Sequence, residues 1–198
     1  MSPTFFRTAM LGAALALAGC AAQAPETRVT RFHLGQPIAR GEIAVEARDP
    51  AMAGTLEFKN YAGAVADELV RTGFRLAPGI AKSELVAVVD VSRGTRAMLD
   101  EGSPFSIGIG GGTFGRNVGV GGGVSFPIGK SRTRELIGTQ LAVQIKRRSD
   151  GTVIWEGRAM SEARSDTPYA EPAAAVLKLA AALFQDFPGE SGRTITVK

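Results

Sequence analysis

Apolar residues recur along this chain at two periods, and the changes of period mark out its elements. Ile43 and Val45 alternate with Ala44 and Glu46 over residues 42–47, which predicts a strand ended by Asp49-Pro50. Residues 28–34 alternate less regularly and read as a first strand. After Thr55 the period lengthens. Phe58, Tyr61, Val65 and Leu69 recur three and four apart and form one apolar stripe on a helix. Thr55 suits its N-cap and Gly73 its C′ position, with Phe74 folding back on the helix end. Residues 85–91 are nearly all apolar and β-branched, which predicts a central strand buried on both faces. Leu141, Val143 and Ile145 resume the alternation. Ser149-Asp150-Gly151 signals a turn, and Val153 and Trp155 open a return strand towards Met160. Trp155 is expected as an amphipathic cover on the sheet. A last helix over residues 171–187 takes Pro172 in its first turn, carries Val176, Leu179, Leu183 and Phe187 on its stripe, and stops at Pro188-Gly189. Residues 193–197 add a short final strand.

Residues 102–129 carry a different pattern. Phe105, Ile107 and Ile109 alternate with Ser106, Gly108 and Gly110. Past residues 113–117, Val118, Val120, Val124, Phe126 and Ile128 share one parity, while Gly119, Gly121, Gly123 and Ser125 fill most of the other. Period two around a polar turn predicts a β-hairpin with one apolar face and one face nearly without side chains. Glycine weakens strands, so this density has a cause. Three are open: a flap over the domain, a smooth face that admits another backbone, or insertion in a membrane as part of an oligomeric barrel. The arms are about 8–11 residues, close to the length a membrane strand needs. The missing aromatic girdle and Pro127 count against insertion. The whole order predicts an α+β fold: a mainly antiparallel sheet with two helices packed on one face, plus the glycine-rich β-hairpin insertion.

The N-terminus changes the picture. Arg7 is the only charge before position 20, and a short run of small and apolar residues follows it to Gly19. This is the layout of a secretory signal, too short to span a bilayer. It closes on Leu17-Ala18-Gly19-Cys20, which resembles the lipobox read by the lipoprotein signal peptidase. Cys20 is the only cysteine, and acylation removes the liability of a lone thiol in an oxidising compartment. Residues 1–19 are therefore expected as signal, residues 20–27 as a lipidated tether with Pro25, and residues 28–198 as a single periplasmic domain. Resemblance to mature lipoproteins implies three acyl chains on Cys20 and an anchor in the membrane. Ala21-Ala22, with no acidic residue, favours the outer membrane by resemblance to known sorting rules.

Charge and candidate chemistry narrow the function. The formal net charge is only +4 and the basic residues are scattered. The densest run, Lys146-Arg147-Arg148, reads as a solvated hairpin end. No basic stripe interleaves with aromatics, so nucleic acid is not the expected partner. With one histidine, His33, read as a surface or edge residue, and one cysteine, neither a His/Cys metal site nor His-dependent nucleophilic catalysis is in reach. No cofactor is expected. Gly110, Gly112 and Gly115 match the dinucleotide fingerprint by letter, but a strand pattern follows where a helix is required. Gly129-Lys130-Ser131 has the ending of a P-loop without its glycine spacing or helix. Asp90 is expected to meet a turn or Arg93. An enzyme would need Asp90, Glu135 or another carboxylate pair to converge in a cleft.

Taken in order, these pieces resemble the bacterial lipoproteins grouped as domain of unknown function 4136. The matching pieces are the lipobox at Cys20, the helix closing in Gly73-Phe74, the strand after Lys82 and the glycine-rich insertion. The strand pair joined by Asp150-Gly151 with Trp155-Glu156-Gly157 matches too, as does the alanine-rich helix leading to Phe184-Gln185-Asp186-Phe187-Pro188-Gly189. The resemblance implies an α+β periplasmic domain on a lipid anchor, with no catalytic residues to transfer. The expected function is a non-enzymatic envelope lipoprotein with a binding or structural domain, held to the membrane through Cys20 and meeting an envelope protein partner. The alternative is a subunit of an oligomeric envelope channel or secretion accessory that assembles through the hairpin.

Overall fold

The computed structural model describes residues 24–78, 83–97 and 135–198. Cys20, the signal over residues 1–19 and the hairpin over residues 102–129 lie outside the described residues.

The described elements are β1 (Thr27–His33), β2 (Glu42–Ala47), α1 (Leu56–Arg71), β3 (Arg75–Leu76), β4 (Leu85–Ala97), β5 (Glu135–Arg147), β6 (Val153–Arg164), α2 (Pro172–Phe184) and β7 (Thr194–Val197). The strands form one sheet in the order β3-β2-β4-β5-β6-β1-β7. The class is α+β with two helices.

The sheet is mixed, which corrects the expectation of a mainly antiparallel one. β2 runs parallel to β3 on one side and to β4 on the other, while β4-β5, β5-β6, β6-β1 and β1-β7 are antiparallel. The cause is the connection. β2 leaves through α1, a crossover that returns the chain in the same direction, where a tight turn would have reversed it. Alternation along a strand reads the same for either pairing direction, so the pattern alone does not distinguish them.

Local chemistry fixes the ends of α1. The Phe58 N–H donates to Thr55 Oγ1 at 3.1 Å, so Thr55 is the N-cap. At the other end the Gly73 N–H donates to Val70 O and the Phe74 N–H to Leu69 O, both at 3.0 Å, with Gly73 at φ 98°. That double bond pattern is a Schellman motif, and its left-handed residue needs glycine.

One cluster forms the core. Val29, Ile43, Val89, Val143, Ile145 and Trp155 from one face of the sheet meet Phe58, Val65 and Leu69 of α1 and Val176, Leu179 and Leu183 of α2. β4 is central and buried on both faces, at Ala87 and Val89 on the helix side and at Val86 and Val88 on the other, as its apolar run predicted.

Two expectations shift in detail. α2 ends at Phe184, before the expected residue 187. Gln185 at ψ 131° breaks the helix, Asp186 follows at φ 54°, and Phe187 lies against Phe74 and Trp155. Trp155 is fully buried, stacked on Phe184 at 5.4 Å, and so is a core residue where an amphipathic cover was expected. His33 ends β1 beyond the rungs that pair with β7, which stop at Thr30, and its N–H and C=O bond the Ser191 hydroxyl, in keeping with the expected edge residue.

Candidate binding surface

The segment joining β1 to β2, residues 34–41, has to cross one end of the sheet, because three strands separate its two anchors. Side chains tie it down at both ends. His33 Nδ1 accepts from the Gly35 N–H at 3.1 Å, so its Nε2–H donates to Gly189 O at 2.9 Å. Arg40 donates to Thr72 O at 2.8 Å and to Ile38 O at 2.6 Å, and its guanidinium stands over Phe187 at 4.7 Å and Phe74 at 5.3 Å.

Arg31 secures the helix side of the same region. It is buried, and its guanidinium donates to Leu183 O at 2.9 Å, Ala182 O at 3.0 Å and Gln185 O at 2.9 Å. These are carbonyls from the last turn of α2 and just beyond it, where a cation is favoured. Burial lowers the Arg31 pKa below its ordinary value, and nearby Asp186 partly opposes the shift. Trp155 Nε1 donates to Pro188 O at 3.0 Å. The stretch Phe184-Gln185-Asp186-Phe187-Pro188-Gly189 is thus held by Arg31, His33, Arg40 and Trp155, and its role here is structural.

Beneath the crossing segment lies an open pocket of 610 Å³. Leu34, Ile38, Leu85 and Val153 supply its apolar lining, and Glu42 and Glu84 its carboxylates. Its size is that of a ligand site. The second feature is the face of the sheet opposite the helices. Polar pairs stud it: Glu46 with Arg148 at 2.5 Å, Glu156 with Gln144 at 3.1 Å and with Arg158 at 2.6 Å. Towards its far end a groove of 240 Å³ is lined by Gly94, Gly138, Leu136, Gln140 and Met160, among others. Gly94 and Gly138 are register partners. A Cβ on Gly94 would meet nothing within 4 Å, and one on Gly138 only Gly94 O at 3.8 Å. The groove floor is therefore bare backbone.

The residues singled out from the sequence do not converge. Asp90 pairs at 3.5 Å with Arg48 in the bend after β2, so of the two expected partners, a turn or Arg93, it meets the turn. Arg93 instead donates to Ala170 O and to Thr139 Oγ1 at 3.4 Å. Glu135 opposes Ala97 on the β4–β5 ladder, whereas Asp90 opposes Ala142. Seven residues of strand separate the two carboxylates, about 23 Å along the sheet, so they cannot share a reacting atom. Arg147 of the basic run pairs with Asp150 at 3.2 Å. Among the described residues no group of three or more His, Cys, Asp and Glu side chains is placed to hold a metal, and no helix is long and apolar enough to cross a membrane.

Sequence reasoning missed one titratable pair. Tyr61 OH donates to Glu57 at 2.6 Å, one turn apart on α1. Burial first, and then this bond to a carboxylate, push the Tyr61 pKa up to about 12. The i, i+4 spacing was the available signal.

No family model matches the chain. It is 34% identical over 210 residues to the uncharacterised protein ZMO1243 of Zymomonas mobilis, covering 86% of this chain and 79% of that one. The chain belongs to the same family as that protein. Among solved structures, two PelC dodecamers from Paraburkholderia phytofirmans share 16% identity at TM-scores of 0.42 and 0.44, covering 79% and 83% of this chain and 93% and 99% of theirs. A PDZ domain protein from Parabacteroides distasonis shares 13% identity at 0.45, covering 95% of this chain and 42% of its own.

Proposed function

We propose that this protein is a non-enzymatic, lipid-anchored envelope lipoprotein of the outer membrane whose periplasmic domain binds a protein partner. The observation that supports the binding role is the sheet itself. Both helices lie in the core on one face, while the opposite face keeps a bare-backbone groove and one end keeps an open pocket. A domain that needed only to be stable gains nothing from exposed apolar side chains gathered at such a pocket.

The anchor rests on Leu17-Ala18-Gly19-Cys20 after a short apolar run. One acyl chain holds a protein only marginally, whereas several make release negligible. Cells fed a labelled fatty acid should label the wild type and leave Cys20→Ser unlabelled and outside the outer-membrane fraction. Equal label in the variant sinks the anchor. The resemblance to the domain of unknown function 4136 lipoproteins supports the same reading.

A further inference from the structure

The pocket at the turn end of the sheet combines an apolar rim with an acidic wall. We propose that it is the docking site for an extended segment of a partner protein in which a lysine or arginine sits beside apolar side chains. The inference rests on the partner-binding reading above and names the chemistry of that partner.

The rim comes first. Leu34 is 81% exposed and Val153 40%, and both line the pocket, whose inner side is formed by the buried Leu85. Scattered apolar side chains on a surface need no explanation, but a gathering of them around a concavity does.

Charge then selects the occupant. Glu42 and Glu84 stand on the pocket wall. The cations of the adjoining turn are already engaged: Arg147, itself a lining residue, pairs with Asp150 at 3.2 Å. Arg148 is held by Glu46 at 2.5 Å and donates to Ser83 O at 3.0 Å. Glu84 also accepts from the Ser149 hydroxyl and Arg75 lies opposite Glu42 on β3, but with Arg147 paired to Asp150 the lining itself is left net acidic. It attracts a basic side chain and disfavours an acidic one. The anchoring of residues 34–41 through His33 and Arg40 pre-forms the wall, so little order is lost on binding. A volume of 610 Å³ admits a few side chains, not a folded domain.

The test pans a random heptapeptide library, displayed on phage, against the full-length chain and against Glu42→Lys/Glu84→Lys. Both carboxylates are exposed, so the double variant should melt like the wild type. Wild type is expected to select sequences with Lys or Arg flanked by Ile, Leu, Val or Phe. A synthetic peptide of the selected sequence should lose affinity by about tenfold or more for the double variant. It should also weaken with Leu34→Asp, which changes the rim at an exposed position, and with added salt. Selection of nothing, selection without basic bias, or equal binding to both variants would overturn the proposal. So would self-association that the double variant dissolves, since that assigns the pocket to a second copy. Peptide binding that persists while Cys20→Ser keeps its lipid label would sink the anchor alone. A failed selection with intact labelling of the wild type would sink the pocket alone.

Discussion

Gly157 shows how one position decides a neighbourhood. A Cβ there would lie 2.4 Å from the indole of Trp155 and 2.7 Å from Leu183 Cδ1. Glycine lets the indole lie flat along its own strand and lets α2 come down on it. Tyr61 offers a test at the same scale. In the folded chain its pKa is raised from 10.0 to about 12. Between those values the folded state keeps a proton that the unfolded state has lost. The resulting stability is fully present below pH 10 and disappears as pH rises towards 12. Tyr61 is almost fully buried, so the loss is on the order of 2–3 kcal/mol. Denaturant melts across that window should show the wild type falling more steeply than Tyr61→Phe. The variant should also lack the phenolate absorbance step near pH 12. Parallel pH profiles would mean that Tyr61 titrates as it does in the unfolded chain.

The end of α2 carries the argument at the scale of the element. Its alanine-rich face, with Ala175, Ala180 and Ala182 buried, lies close on β5, β6 and β1. The terminal carbonyls have no intrahelical partners, and Arg31 reaches across from β1 to satisfy Leu183 O and Ala182 O as well as Gln185 O. Arg31→Met keeps the aliphatic volume and removes the donors. It should destabilise the domain by about 2–4 kcal/mol, since buried carbonyls left without donors are costly. A denaturant melt with the slope unchanged and the midpoint lowered reads this directly. A loss below about 0.5 kcal/mol would mean that water replaces the guanidinium at these carbonyls.

At the scale of the whole molecule, β4 and β5 pair through thirteen rungs without a break, out to Ala97 opposite Glu135. Residues 98–134, between these strand ends, lie outside the described residues, and the channel reading that rests on their sequence is put to the test at Val120. Lipidated protein extracted in mild detergent should have the mass of a single chain, unchanged by Val120→Asp. A large ring that Val120→Asp dissolves would promote the channel, because charge at membrane depth costs up to a few kcal/mol.

Much of the architecture was legible along the chain. The stripe of Phe58, Tyr61, Val65 and Leu69, the Thr55 cap, the Gly73-Phe74 ending and the Asp150-Gly151 turn all depend on neighbours within a few residues, and local physics carries such information. The expected signal ending in Cys20 is also a local pattern, and it lies outside the described residues. Other features depend on partners far away in the chain. The parallel pairing of β2 with β4 arises because the crossover through α1 sets direction, which alternation does not encode. Arg31 reads as a strand charge until its partners, more than 150 residues on, come into place. The pocket joins residues 34–42 to residues 84–85 and 147–154, and Asp90 finds Arg48 in place of its near neighbour Arg93. Spacing within one segment reports what that segment does alone; which segments meet is decided by burying all the stripes at once in one core, and only the tertiary structure carries out that choice.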